Sequence, residues 1–172
     1  MMPGGVSNIN SSKNKQMIKK NKERSSKVLE FILKSPGIRY RQLLRLTALS
    51  NGSLSFALKK LEGSRGIIVN RSSNNRVTSY YPKNIKAKEL HIISNLRNNT
   101  EKRIVQFLLE QGQSTFKDIV NYIDRAPSTI SWHLSKLENA ELIINDHHGK
   151  HSPYKIRNRY YVTSIISKYN SI

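Results

Sequence analysis

The run NDHHGKHS places Asp146, His147, His148 and His151 close together. Imidazole and carboxylate suit Zn²⁺ or Ni²⁺, so metal binding is the first chemistry to weigh. The spacing lacks the H-E-x-x-H pattern of a specific site. The chain also has no cysteine, which removes Cys-paired metal sites, disulfides and Cys nucleophiles together. These residues read as a polar turn, with neither a metal nor a cofactor expected. No G-x-x-x-x-G-K-[ST], no Gly-rich nucleotide loop and no G-x-S-x-G elbow occurs. With only 11 Asp+Glu, paired carboxylates for acid–base work are hard to find. An enzyme is not expected.

Charge is the stronger signal. Thirty Lys+Arg against 11 Asp+Glu give a formal net charge of +19 over 172 residues. Such a surface attracts polyanions, with nucleic acid the first suspect and an anionic membrane surface the second. The excess is uneven. Residues 1–85 carry 17 Lys+Arg and 3 Asp+Glu, whereas residues 86–172 carry 13 and 8. Much of it lies in KNKQMIKKNKER, Lys13 to Arg24. This segment reads as a solvated basic tail, as an arm that settles onto phosphates, or as both in turn. No signal peptide or membrane span is evident, so a soluble, cytoplasmic, nucleoid-associated protein is expected.

A second group of candidates lies in RAPSTISWHLSKLENAELI, Arg125 to Ile143. At about 100° per residue, Leu134 and Leu137 fall within about 40° of Ile130 and define a buried face. Trp132 lies at about 200°, nearly opposite. Ser128, Ser135 and Lys136 share its side, and His133 sits on the shoulder.

The elements that would hold these residues occur twice. LSFALKKLEGSRGIIVN, from Leu54, matches ISWHLSKLENAELIIND, from Ile130, at a constant offset of 76. Leu58 then meets Leu134, Lys60-Leu61-Glu62 meets Lys136-Leu137-Glu138, and Ile67-Ile68 meets Ile143-Ile144. Downstream, Tyr80-Tyr81 matches Tyr160-Tyr161 if four residues are inserted. A duplicated domain explains this better than chance.

Each copy reads as three helices, a strand, a loop and a strand. In copy two, Thr100 is the expected N-cap of EKRIVQFLLEQG and Gly112 its stop. Thr115 and Asp118 form a capping-box-like start, and Pro127 suits the first position of the third helix. LIIND and YKIRNRYYV follow as strands. In the latter, alternation puts Lys155, Arg157 and Arg159 on one face and Ile156 and Tyr160 on the other. Copy one runs SSKVLEFILKS, YRQLLRLTAL, NGSLSFALKKLEG, IIVNR, SSNN, RVTSYYP.

The boundaries are a basic flexible tail over 1–24, domain one over 25–82, a linker over 83–98, domain two over 99–162, and a C-terminal segment over 163–172. The linker has Leu90, Ile93 and Leu96 at helical spacing, so it reads as a helix, with a flexible spacer the alternative. The last segment reads as a short helix with Ile165, Ile166 and Tyr169 on one side.

PSTISWHLSKLENAELI resembles the recognition-helix region of the ArsR/MarR-like winged-helix regulators of archaea and bacteria. The Ser/Thr-rich start, the HL step and the KLE.A.LI exit carry the likeness, over about residues 99–162. Copy one is looser, with Gly52 early in its third helix. The resemblance implies an α+β fold, mainly helical with small hairpins, of two winged helix-turn-helix domains in tandem. The metal-sensing cysteines of some ArsR members are absent, so thiolate metal sensing is not implied.

Such a fold lays its third helix in the DNA major groove. The expected DNA-contacting residues of copy one are Asn51, Ser53, Ser55, Phe56, Lys59, Lys60, Arg71 and Arg76. Those of copy two are Ser128, Thr129, Ser131, Trp132, Ser135, Lys136, Lys150, Lys155, Arg157 and Arg159. Hydroxyls hydrogen-bond base edges and apolar groups touch thymine methyls. Trp132 and Phe56 face either the groove or a packing partner, whether the other domain, a dimer partner or their own wing. Duplex DNA is the expected partner, with a homodimer or the transcription machinery as further possibilities. A sequence-specific regulator and a non-specific architectural protein both fit, and a third class is an RNA-binding or protein-bridging pair.

Overall fold

The computed structural model describes residues 7–71, 77–145 and 152–169, which divide into two compact units at Asn84 and Ile85. Arg76, Lys150 and the Asp146, His147, His148, His151 group lie outside the described residues.

Unit one contains α1 (Ser7–Lys34), β1 (Ile38–Arg39), α2 (Tyr40–Thr47), α3 (Asn51–Gly63), β2 (Ile67–Arg71) and β3 (Thr78–Pro82). Its antiparallel sheet has the order β1-β3-β2, with Ile38 paired to Tyr80 and Val69 to the same residue on the other side. Val28, Ile32, Ile38, Leu43, Leu54, Leu58, Leu61 and Ile67 form the core between the helices and the sheet. Apolar side chains at i, i+3/i+4 and i+7 of α3 make that packing possible.

Unit two contains α4 (Ala87–Leu96), α5 (Asn99–Gln111), β4 (Gln113–Ser114), α6 (Phe116–Ile123), α7 (Pro127–Asn139), β5 (Ile143–Asn145), β6 (Tyr154–Ile156) and α8 (Arg159–Lys168). The sheet order β4-β6-β5 repeats that of unit one. Buried positions correspond at the offset of 76: Val28 and Ile104, Ile32 and Leu108, Leu43 and Ile119, Leu54 and Ile130, Leu58 and Leu134, Leu61 and Leu137, Ile67 and Ile143. Left-handed residues correspond too, Ala48 with Asp124 and Arg65 with Glu141. A basic side chain of α1 caps α2 in unit one, and one of α5 caps α6 in unit two. Lys27 Nζ donates to Thr47 O at 2.9 Å, and Arg103 donates to Ile123 O and Tyr122 O at 3.2 Å. These caps close the ends of α2 and α6, just before α3 and α7.

Several expectations need correction. YKIRNRYYV is not one strand: β6 ends at Ile156 and α8 starts at Arg159. Asn158 caps that helix, its Oδ1 accepting from Tyr161 N at 2.9 Å, and Val162 and Ile165 bury its inner face. Three- and four-residue spacing over 162–166 thus outweighs a short alternation. Tyr160, expected to cover the helices, is 86% exposed. Nor does it match Tyr80: Tyr154 faces Ser114 as Tyr80 faces Ile38.

The basic segment before Arg24 is helical from Ser7, because Ser7 to Lys34 contains no Gly or Pro and many good helix formers. Residues 12–20 of that helix are exposed throughout. The N-cap of α5 is Asn98, not Thr100, with its side chain accepting from Thr100 N and Glu101 N. From Ile85 on, the 83–98 segment belongs with unit two, where Ile92, Ile93 and Leu96 are buried. Glu89 of α4 ties α8 by accepting from Lys168 Nζ at 3.1 Å and Tyr169 Oη at 3.2 Å. Among the described residues, no helix is long and apolar enough to cross a membrane.

Candidate nucleic-acid interface

Helices α3 and α7 each turn one face to the core and the other to solvent. In α7, Ile130, Leu134 and Leu137 are buried, while Ser128, Thr129, Ser131, Trp132 and Ser135 are exposed. In α3, Leu54, Ala57, Leu58 and Leu61 are buried, and Asn51, Ser55, Phe56, Lys59 and Lys60 are exposed. Trp132 and Phe56 occupy equivalent positions at 60% and 53% exposure, so neither ring belongs to its own core.

Local chemistry starts each helix. Ser50 caps α3, accepting from Ser53 N, and holds the half-buried Ser53 hydroxyl at 3.0 Å. Pro127 opens α7, where its missing N–H costs nothing. Upstream, Thr115 and Asp118 close a reciprocal capping box on α6. Hydrogen bonds from the Thr115 hydroxyl and then its backbone N–H hold the Asp118 carboxyl below its usual range.

The two faces differ in which polar groups are already engaged. In unit one, Tyr40 Oη donates to Asn51 O at 3.1 Å and lies 3.1 Å from Ser55 Oγ. Position 116, the equivalent of Tyr40, is phenylalanine, so no such tie reaches α7. The side chains of Ser128, Thr129, Ser131 and Ser135 make no hydrogen bond to another described residue.

The lysines are arranged the other way round. Lys59 and Lys60 form no ion pair with a described residue, but Lys136 Nζ lies 2.7 Å from Glu101 Oε1 on α5. His133, on the shoulder of the wheel, is turned inward at 7% exposure, with Nδ1 3.2 Å from the same oxygen. The Trp132 and His133 rings meet edge to face at 4.8 Å between centroids, and Lys136 Nζ lies 5.6 Å from the Trp132 centroid.

The sheet cations are scattered. Arg71, at the end of β2, grips Glu62 with contacts of 2.8 and 3.1 Å. Lys155 is half-buried in β6. Arg157 is in the turn after β6, 3.8 Å from Glu141, and Arg159 is exposed in the first turn of α8. The cationic strand face expected of Lys155, Arg157 and Arg159 therefore does not form, because only the first of them is in a strand. Exposed ion pairs such as Arg71–Glu62 contribute little and exchange readily. Sequence reasoning missed Glu101, Tyr40, Lys27 and Arg103. For the last two, the offset of 76 was the available signal, since both copies carry a cation there.

Helices α5, α6 and α7, with the small antiparallel sheet and the outward face of α7, have the arrangement of a helix-turn-helix module. Residues 98–145 match the family described as "Bacterial regulatory protein, arsR family". The chain is also similar to an uncharacterized HTH-type transcriptional regulator of Methanocaldococcus jannaschii, being 26% identical over 143 residues. That similarity covers 83% of this chain and 34% of the relative, so the chain spans about a third of the relative's length.

Proposed function

We propose that this chain is a sequence-specific transcription regulator in which both units are winged helix-turn-helix modules that dock on duplex DNA. Helices α3 and α7 enter the major groove, and the sheet hairpins touch the backbone or minor groove. The observation that carries this reading is the pair of outward faces of α3 and α7 on a chain of net charge +19, each with one exposed aromatic ring.

The units divide the work. The free hydroxyls of α7 and Trp132 read base edges and thymine methyls. The free Lys59 and Lys60 of α3 hold phosphates, and Asn51 and Ser55 are held by Tyr40. Lys15, Lys19 and Lys22 share one face of the exposed part of α1, which extends the cationic surface along the backbone. Phosphate contacts on this scale make affinity strongly salt-dependent.

An architectural, non-specific role is the second reading, favoured by the lysine-rich face of α3 and by the helical basic arm. Selection from a pool of random duplexes at two salt concentrations separates the two. A defined motif surviving the higher salt supports the regulator. Binding that vanishes at high salt and enriches nothing makes the protein architectural.

A further inference from the structure

We propose that Glu101, buried beneath the recognition surface, is a positioning residue for base reading, acting through Lys136 and His133 on the Trp132 ring. This rests on the reading of α7 as a base-reading helix.

Three observations lead there. Glu101 is 0% exposed, and its Oε2 has no hydrogen-bond partner. A carboxylate in that setting is costly, so its presence needs a reason. The fold does not supply one. At the equivalent positions unit one has Ser25 and Ala57, both buried, and builds the same helix packing with those small side chains.

Both groups that reach Glu101 also reach Trp132. Lys136 bonds Oε1 at 2.7 Å and places its ammonium 5.6 Å from the indole centroid. His133 lies 3.2 Å from the same oxygen and sets its ring edge to face against the indole. An exposed indole held from two sides loses less rotamer freedom on binding than a free one. Unit one has Lys60 and Phe56 in place, but no acid beneath them, so its aromatic is untethered.

The test compares wild type with Glu101→Leu and Glu101→Gln, against the best duplex from the random pool and a scrambled one. Removing the acid adds one positive charge, which by itself strengthens binding to any duplex. The expected result runs against that trend: specific affinity falls about 5- to 10-fold, and scrambled affinity is unchanged or up to about 2-fold tighter. Glu101→Gln keeps an acceptor and recovers part of the ratio. Trp132 is the one tryptophan in the chain, so its fluorescence anisotropy reports the ring directly and should fall in Glu101→Leu.

In a Trp132→Ala background, Glu101→Leu should cost nothing further. The same specific loss there would mean that Glu101 acts through the fold, which overturns the proposal. So would an unchanged ratio in a wild type that has a preferred sequence. A wild type with no preferred sequence removes the base-reading role itself, a separate failure. If Glu101→Leu does not fold, the pair Glu101→Leu/Lys136→Met leaves the net charge unchanged, so specific affinity should still fall about 5- to 10-fold while scrambled affinity stays the same.

Discussion

Lys60 and Lys136 stand at the same place in two equivalent helices, yet only Lys136 is committed, with its ammonium 2.7 Å from the Glu101 carboxylate. The difference comes from α1 and α5, which supply serine at position 25 and glutamate at position 101. A lysine already paired to a buried acid releases few counterions when DNA arrives.

The salt dependence of binding should show this. Lys60→Ala lowers the slope of log affinity against log salt by about 1, and Lys136→Ala leaves it nearly unchanged. Equal slopes for the two variants would mean that the ammonium of Lys136 swings out to phosphate.

Trp132→Ala should weaken binding to the preferred duplex by about 10-fold and to a scrambled duplex by less than about 2-fold. Competition titrations with the two duplexes measure the ratio. An equal loss in both places the ring against protein rather than bases.

Asp118 links the α6 capping box to pH. Its carboxyl is held below the ordinary range chiefly by the Thr115 hydroxyl hydrogen bond. The sign follows from linkage: this stabilisation is fully present above the unfolded carboxyl value of about 3.9 and is lost as pH falls through the lower folded value. Thr115→Val should raise the Asp118 titration midpoint in a side-chain NMR titration. Thr115→Ala should also cost about 1 kcal/mol in a denaturant melt.

Arg103→Ala leaves the Tyr122 and Ile123 carbonyls without their donor and removes a cation lying 5.8 Å from the Tyr122 ring centroid. A charged donor to backbone carbonyls contributes about 1.5–3 kcal/mol, so the unfolding midpoint should drop accordingly. Lys27→Ala, whose side chain makes the equivalent single bond to Thr47 O, should cost less.

Local spacing determined most of the architecture. Apolar residues at helical intervals fix α2, α3, α5, α6 and α7, and Gly112, the Thr115–Asp118 pair and Pro127 mark ends of α5, α6 and α7, because caps and periodicity act over a few residues. The offset of 76 exposed the duplication for the same reason: packing positions must repeat when a fold repeats. Tertiary structure decided the rest. Whether RNRYY extends a strand or starts a helix depends on Val162 and Ile165 finding cover, and that cover comes from elsewhere in the unit. The short strands β1 and β4 carry no pattern of their own and exist only because β3 and β6 offer them edges. Glu101 illustrates the limit best. In sequence it is one more acid in the first turn of a helix. Only folding carries it 32 and 35 residues along the chain to His133 and Lys136, beneath the exposed Trp132. Contacts between positions so far apart leave no periodic trace, so the tether under the recognition face was visible only in the folded chain.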